Sequence, residues 1–174
     1  MSRPEKSEYH PYYENYVSLV TGEDVVSVLA NQPRELKSLL SPLAEEKGTF
    51  AYAAGKWTIK ELLSHIIDGE RIFAYRLLRI SRGDETPIEG FEQDGYIENS
   101  HANERTFADL LDEFEELRAA NLRQIRNLRQ EDWARTGTAN NATVSVRALA
   151  WIMAGHVVHH CNILRLRYLT ADEV

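Results

Sequence analysis

Three of the six histidines in this 174-residue chain, His156, His159 and His160, crowd one short stretch, and a fourth, His65, stands on a separate helical segment. Residues four apart on an α-helix differ by only about 40° around its axis, so His156 and His160 project side by side. That spacing suits chelation. The same stripe collects Leu149, Ile152, Ile163 and Arg167, so the pair lies on a mostly apolar face that turns into the fold. His65 has an equivalent setting, with Leu62, Gly69 and Ile72 near its own stripe. Taken alone, a histidine pair at this spacing describes hydrogen-bonded core or surface histidines equally well; a third imidazole from a facing helix favours a metal centre. Three imidazoles at about 2.0–2.1 Å hold one divalent first-row ion and leave a position for water or substrate, and zinc and nickel suit them best.

Other side chains carry weaker signals. His159 projects to the other side of His156 and either touches the site or packs beside it. Asp68, one turn after His65, is the candidate for a group that orients an imidazole or takes a substrate proton, with a surface ion pair to Arg71 or Arg76 as the alternative. Asp94 and Tyr96 either close over the metal cleft or stand in solvent. His10 and His101 are expected in solvent, Trp57 and Trp151 in the core. Cys161 points away from His156 and reads as a small packed side chain. There is no Ser/His/Asp order, phosphate loop or CxxC pair.

Positioning three imidazoles requires helices, and the chain supplies four. The first follows Thr21 and Asp24, with Val25, Val28, Leu29, Leu36, Leu39 and Leu40 in helical period, and Pro33 is expected to kink or split it. The second opens on a capping box, Thr58 with Glu61, runs through Leu62, Ile66, Phe73, Leu77 and Ile80, and stops at Gly83. The third starts near Thr106 and puts Phe107, Leu110, Leu111, Phe114, Leu122, Ile125 and Leu128 on one face. A polar stretch, Thr136 to Thr143, precedes the fourth, which Ser145 caps and which extends to about Leu169. No segment alternates convincingly as a strand. The expected fold is all-α: a four-helix bundle over residues 21–170, an ordered N-terminal arm over residues 1–20, and one long crossover between helices 2 and 3 without sustained period.

Charge narrows the partners. Formal net charge is −7, and the crossover from Asp84 to Arg105 holds seven acids against one base, nearly the whole imbalance. Nucleic acid is therefore not expected as a partner, because its binding draws on clustered basic side chains. The fourth helix carries Arg147, Arg165 and Arg167 with no acid, and is expected to face the acidic crossover of its own chain or of a second copy. The longest apolar run free of Asp, Glu, Lys and Arg, Ala148 to Leu164, is 17 residues, short of the roughly 18 of a spanning helix, so no membrane anchor is expected. One cysteine and no apolar leader make the cytoplasm the expected compartment.

Two segments, Gly55 to Ile80 and Ser145 to Tyr168, resemble the DinB/YfiT-like family of four-helix proteins, as does the PIEGFEQDGY stretch of the crossover. The most specific elements are W-[ST]-x-x-E-x-x-x-H, Trp57 to His65, and G-H-x-x-H-H, Gly155 to His160. The resemblance implies a metal-binding bundle of up-down-down-up type, often a homodimer, whose ligands fall on His65, His156 and His160. It also implies small-molecule chemistry with low-molecular-weight thiols such as bacillithiol as cosubstrates. Two functions follow: an enzyme whose metal activates a thiol or water, thiol transfer ahead of hydrolysis, or a non-catalytic metal- or small-molecule-binding module of a stress response.

Overall fold

The computed structural model describes residues 1–169; Thr170, the last residue of the predicted bundle, lies outside the described residues. Six helices and one hairpin follow in order: α1 (Glu14–Val17), α2 (Val25–Leu40), α3 (Ile59–Ser81), α4 (Gln93–Glu98), α5 (Phe107–Arg126), the strands β1 (Thr136–Ala139) and β2 (Ala142–Ser145), then α6 (Val146–Ile163). The bundle is α2, α3, α5 and α6. Its main pairings are α3 with α5 and α6, and α2 with α5 and α6, so the consecutive helices α2 and α3 face each other across the bundle instead of lying side by side.

The caps explain the boundaries. Thr58 Oγ1 accepts from the Glu61 amide at 3.1 Å while Glu61 accepts from the Thr58 amide at 2.8 Å, closing the predicted box. Thr106 caps α5 through the Asp109 amide at 3.2 Å, and Ser145 caps α6 through the Ala148 amide at 2.9 Å. Asp24, not Thr21, caps α2, accepting from the Ser27 amide at 3.2 Å. Beyond Ile163 the last helix continues as a π-helical turn, Leu164–Tyr168.

One expectation fails instructively. The polar stretch before α6 is an antiparallel hairpin, Thr136 paired with Ser145 and Ala139 with Ala142, turned by Asn140 and Asn141 at φ 50° and 59°. Asparagine tolerates that left-handed backbone, which the primed hairpin turn needs. Strands of four residues are too short for a period to be read. The crossover, in turn, is ordered: it contains α4 and a 3-10 turn, Ala102–Glu104, and Ile88 adds a parallel bridge to the hairpin through amide–carbonyl contacts of 2.9 Å on either side.

The N-terminal residues lie against α6. Arg3 donates to the carbonyls of Val17 and Val20, both at 2.6 Å, and Glu8 pairs with Arg147. Arg147 therefore faces the arm, not the acidic crossover. At Gly155 a Cβ would overlap the backbone of Tyr16, so only glycine allows α1 to approach α6 this closely.

Apolar side chains form two clusters, one around Leu29, Phe73, Leu122 and Trp151, the other around Leu36, Leu63, Phe114 and Leu164. Between them runs a polar layer. Arg118, fully buried, grips Glu70 with Nε and Nη2, each at 2.8 Å, and its Nη1 reaches Gln32 Oε1 at 2.7 Å and the Leu29 carbonyl at 2.9 Å. Gln32 then donates to the Ala154 carbonyl at 2.7 Å. These contacts keep α2 continuous through Pro33: proline cannot donate to the carbonyl four residues earlier, which is that of Leu29, and the guanidinium satisfies it instead. Replacing Arg118 with Leu strands the Glu70 carboxylate in a site sealed from water, so the variant is expected to lose about 3–5 kcal/mol. Urea denaturation of both proteins checks this.

Candidate metal centre

His65 reaches the polar layer from α3, His156 and His160 from α6, and all three are buried, at 4%, 4% and 6% exposure. Their Nε2 atoms converge: His156 stands 3.1 Å from His65 and 3.1 Å from His160. Ligand atoms at about 2.1 Å from one ion are about 3.0 Å apart at right angles and about 3.4 Å at the tetrahedral angle. The observed spacing falls between these. A neutral imidazole carries hydrogen on one ring nitrogen only, so three clustered Nε2 atoms either share protons or present lone pairs to a cation.

Burial favours the lone pairs. His65 is pushed down to about 4, chiefly by desolvation, against the pull of the Asp94 carboxylate. His156 and His160 lie well below the ordinary histidine value for the same reason, reinforced by repulsion among the imidazoles. Neutral imidazole is the form that binds metal.

Close packing aims the rings. At Gly69, one turn along α3 from His65, a Cβ would stand 2.6 Å from His156 Cε1 and 3.0 Å from its Nδ1, so the absent side chain leaves the space that the ring fills. Trp57 lies over His65 at 4.8 Å between centroids, and Tyr16 meets His156 edge-on at 5.5 Å. Trp57 is thus half-buried against the site instead of deep in the core. Sequence reasoning placed the tyrosine-rich arm with the acidic crossover at the rim of the site but singled out neither Tyr16 nor Gly69 as positioning an imidazole; Gly69 left a trace only as a glycine on the His65 stripe.

Two cavities flank the cluster. One, of about 260 Å³, is lined by His65 and His156 together with Tyr12, Tyr13, Tyr16, Phe73, Arg76 and Asp94. The other, of about 290 Å³, is lined by His160 with Trp57, Tyr52, Tyr168 and, again, Asp94. Asp94, in the first turn of α4, is therefore the carboxylate common to both. Asp68 is elsewhere: half-buried, with its pKa raised by burial, it sits 3.7 Å from Arg71 and lines a separate cavity that contains none of the three histidines. Tyr96 lines that cavity too, half-exposed. His159 is half-buried between the Tyr16 and His160 rings, at 5.2 and 4.9 Å. His10 and His101 are exposed, and Cys161 is buried with its thiol pushed up to about 11 by burial.

The lowered histidines make stability depend on pH. His65 protonates near 6.5 when unfolded and near 4 when folded, so the unfolded chain binds more protons in that window. Stability is then full above pH 6.5 and falls on acidification toward 4. Chelator-treated protein should show a urea midpoint that drops across this range, and His65→Leu should flatten the drop. An identical slope in the variant would mean that the imidazole is already solvated.

Comparisons with known proteins agree with this architecture. YfiT from Bacillus subtilis, a probable metal-dependent hydrolase with an unusual four-helix bundle topology, superposes with a TM-score of 0.78 at 16% identity, over 86% of this chain and 87% of that one. The mycothiol-dependent maleylpyruvate isomerase superposes with a TM-score of 0.66 at 17% identity, over 79% of this chain and 58% of the isomerase, so it is matched over little more than half its length. No curated protein matches the sequence. The model of the DinB superfamily matches residues 29–164, a span containing α3, α5, α6, all but the first turn of α2 and all three histidines, and the chain belongs to that superfamily.

Proposed function

We propose that this protein is a metal-dependent enzyme in which His65, His156 and His160 hold one divalent ion, zinc or nickel, and in which a small thiol or water serves as nucleophile. The convergence of three buried Nε2 atoms beside two cavities carries the reading. Among the described residues no fourth ligand atom joins the cluster, whereas a purely structural zinc site is closed by four protein ligands. A bound divalent ion supplies Lewis acidity, lowering the pKa of a thiol or water so that a nucleophile is available near neutral pH.

The chain's own groups do the rest. Gly69, Trp57 and Tyr16 fix the imidazoles, while burial keeps them neutral. Tyr12, Tyr13, Phe73 and Phe91 line one side of one cavity and shield a reactive nucleophile there from bulk water. Asp94, open to both cavities, is placed to take up the nucleophile's proton. Thiol transfer stands ahead of hydrolysis because a mycothiol-dependent enzyme is among the similar folds; YfiT's description keeps hydrolysis as the alternative.

Untagged protein should contain one zinc or nickel per chain by elemental analysis, and His160→Ala should contain none. Gly69→Ala should lose metal affinity by roughly 10–100-fold, the range found when a group that orients a ligand is disturbed. Chelation should leave far-ultraviolet circular dichroism unchanged, since two apolar clusters hold the helices without metal. In assays of thiol conjugation and ester or amide hydrolysis, Asp94→Asn should keep its metal and lose roughly 10²-fold in turnover, with Asp68→Asn near wild type. Absence of metal-dependent turnover on either panel would mark the protein as a binding module.

A further inference from the structure

Three arginines of α3, Arg71, Arg76 and Arg79, line an outer cavity of about 550 Å³ together with Tyr75, Phe91 and Tyr96. Two of them are neutralised. Arg71 pairs with Glu113 and Asp68, and Arg79 Nε donates to Asp84 at 2.6 Å. Arg76 differs. It is 3% exposed, its Nη2 donates only to the Glu89 carbonyl at 3.2 Å, and its Nε has no hydrogen-bond partner. Among the described residues no carboxylate pairs with it. A guanidinium is always charged, and buried charges are ordinarily paired.

Its place gives the unpaired charge a meaning. Arg76 lines the outer cavity and also the cavity of His65 and His156, so it stands in the wall between them. It lies on the same face of α3 as His65 and Gly69, seven residues beyond the glycine that receives His156, about 10 Å along the axis. Its side chain leans back toward the histidines, as long side chains on helices do.

We propose that Arg76 binds a carboxylate of the substrate, at the far end of a molecule whose reacting atom lies at the three histidines. This deepens the enzyme reading and rests on it for the reacting end only. Guanidinium and carboxylate match as a two-pronged pair. The cavity wall also bears Glu92 and Asp94, whose charges oppose a phosphate dianion more than a monoanion. The separation of about 10 Å between the backbones of Gly69 and Arg76 suits an acid with several bonds between its carboxylate and the reacting atom.

Isothermal titration with 6-mercaptohexanoate and 6-mercaptohexanol tests this on metal-loaded wild type, Arg76→Gln and Arg76→Lys. Wild type should prefer the acid by roughly tenfold, the worth of one charge-assisted contact. In Arg76→Gln the preference should fall within twofold, with metal content unchanged; Arg76→Lys should keep part of it. Wild type without an acid preference, or a preference that survives Arg76→Gln, overturns the assignment, as does stronger competition by inorganic phosphate than by acetate. Hexanoate against hexanol on metal-free His160→Ala separates the two ideas: there the acid preference should persist, because no thiol–metal contact contributes, and its loss would also overturn the role of Arg76.

Discussion

The buried guanidinium of Arg118 is the contact on which the bundle depends. It joins α5 to α3 through Glu70 and to α2 through Gln32 and the Leu29 carbonyl, and Gln32 carries the connection to α6 at Ala154. One side chain thus touches or relays to all four helices. Hydrophobic contact fixes the level of each helix less strictly, since a core tolerates repacking when volume and pattern are kept. A two-pronged pair with fixed partners sets that level relative to the other helices. The histidines need that level to be right, because their nitrogens meet only if α3 and α6 are in register to within a fraction of a turn.

The same layer accounts for where the polar atoms are. Gln32, Glu70, Gly69, Arg118 and His156 all fall in the gap between the two apolar clusters. Structural and chemical polarity share one slice of the bundle, and the apolar material above and below excludes water from both. That exclusion keeps the imidazoles neutral.

Much of this was legible in the sequence. The four long helices announced themselves by period and cap, and the three histidines by their spacing on apolar stripes. The Arg118 network did not, because a charged residue in a strongly charged helix reads as surface. Its sign was positional: Arg118 follows Phe114 and precedes Leu122 by four, squarely on the apolar stripe. Pro33 does not split α2 for a related reason, since the cost of a proline is set by whether another donor reaches the freed carbonyl, a tertiary matter. The hairpin and α4 were too short to show a period. Asp68 drew notice because proximity along a helix is visible in sequence, whereas the packing that brings Asp94 of α4 to both cavities is not.

The N-terminal arm carries part of the site. The superfamily match begins at residue 29, yet Tyr12, Tyr13 and Tyr16, which wall the cavity beside His65 and His156, all precede it. The chain therefore divides its labour along its length. The matched segment holds the imidazoles, while the arm, docked through Glu8 on Arg147, Arg3 on the Trp151 ring and the glycine contact at Gly155, walls the cavity beside them with its tyrosines. Tyr16, however, packs on the His156 and His159 rings, so the same arm that shapes the cavity also bears on the imidazoles, and a change there reaches both at once.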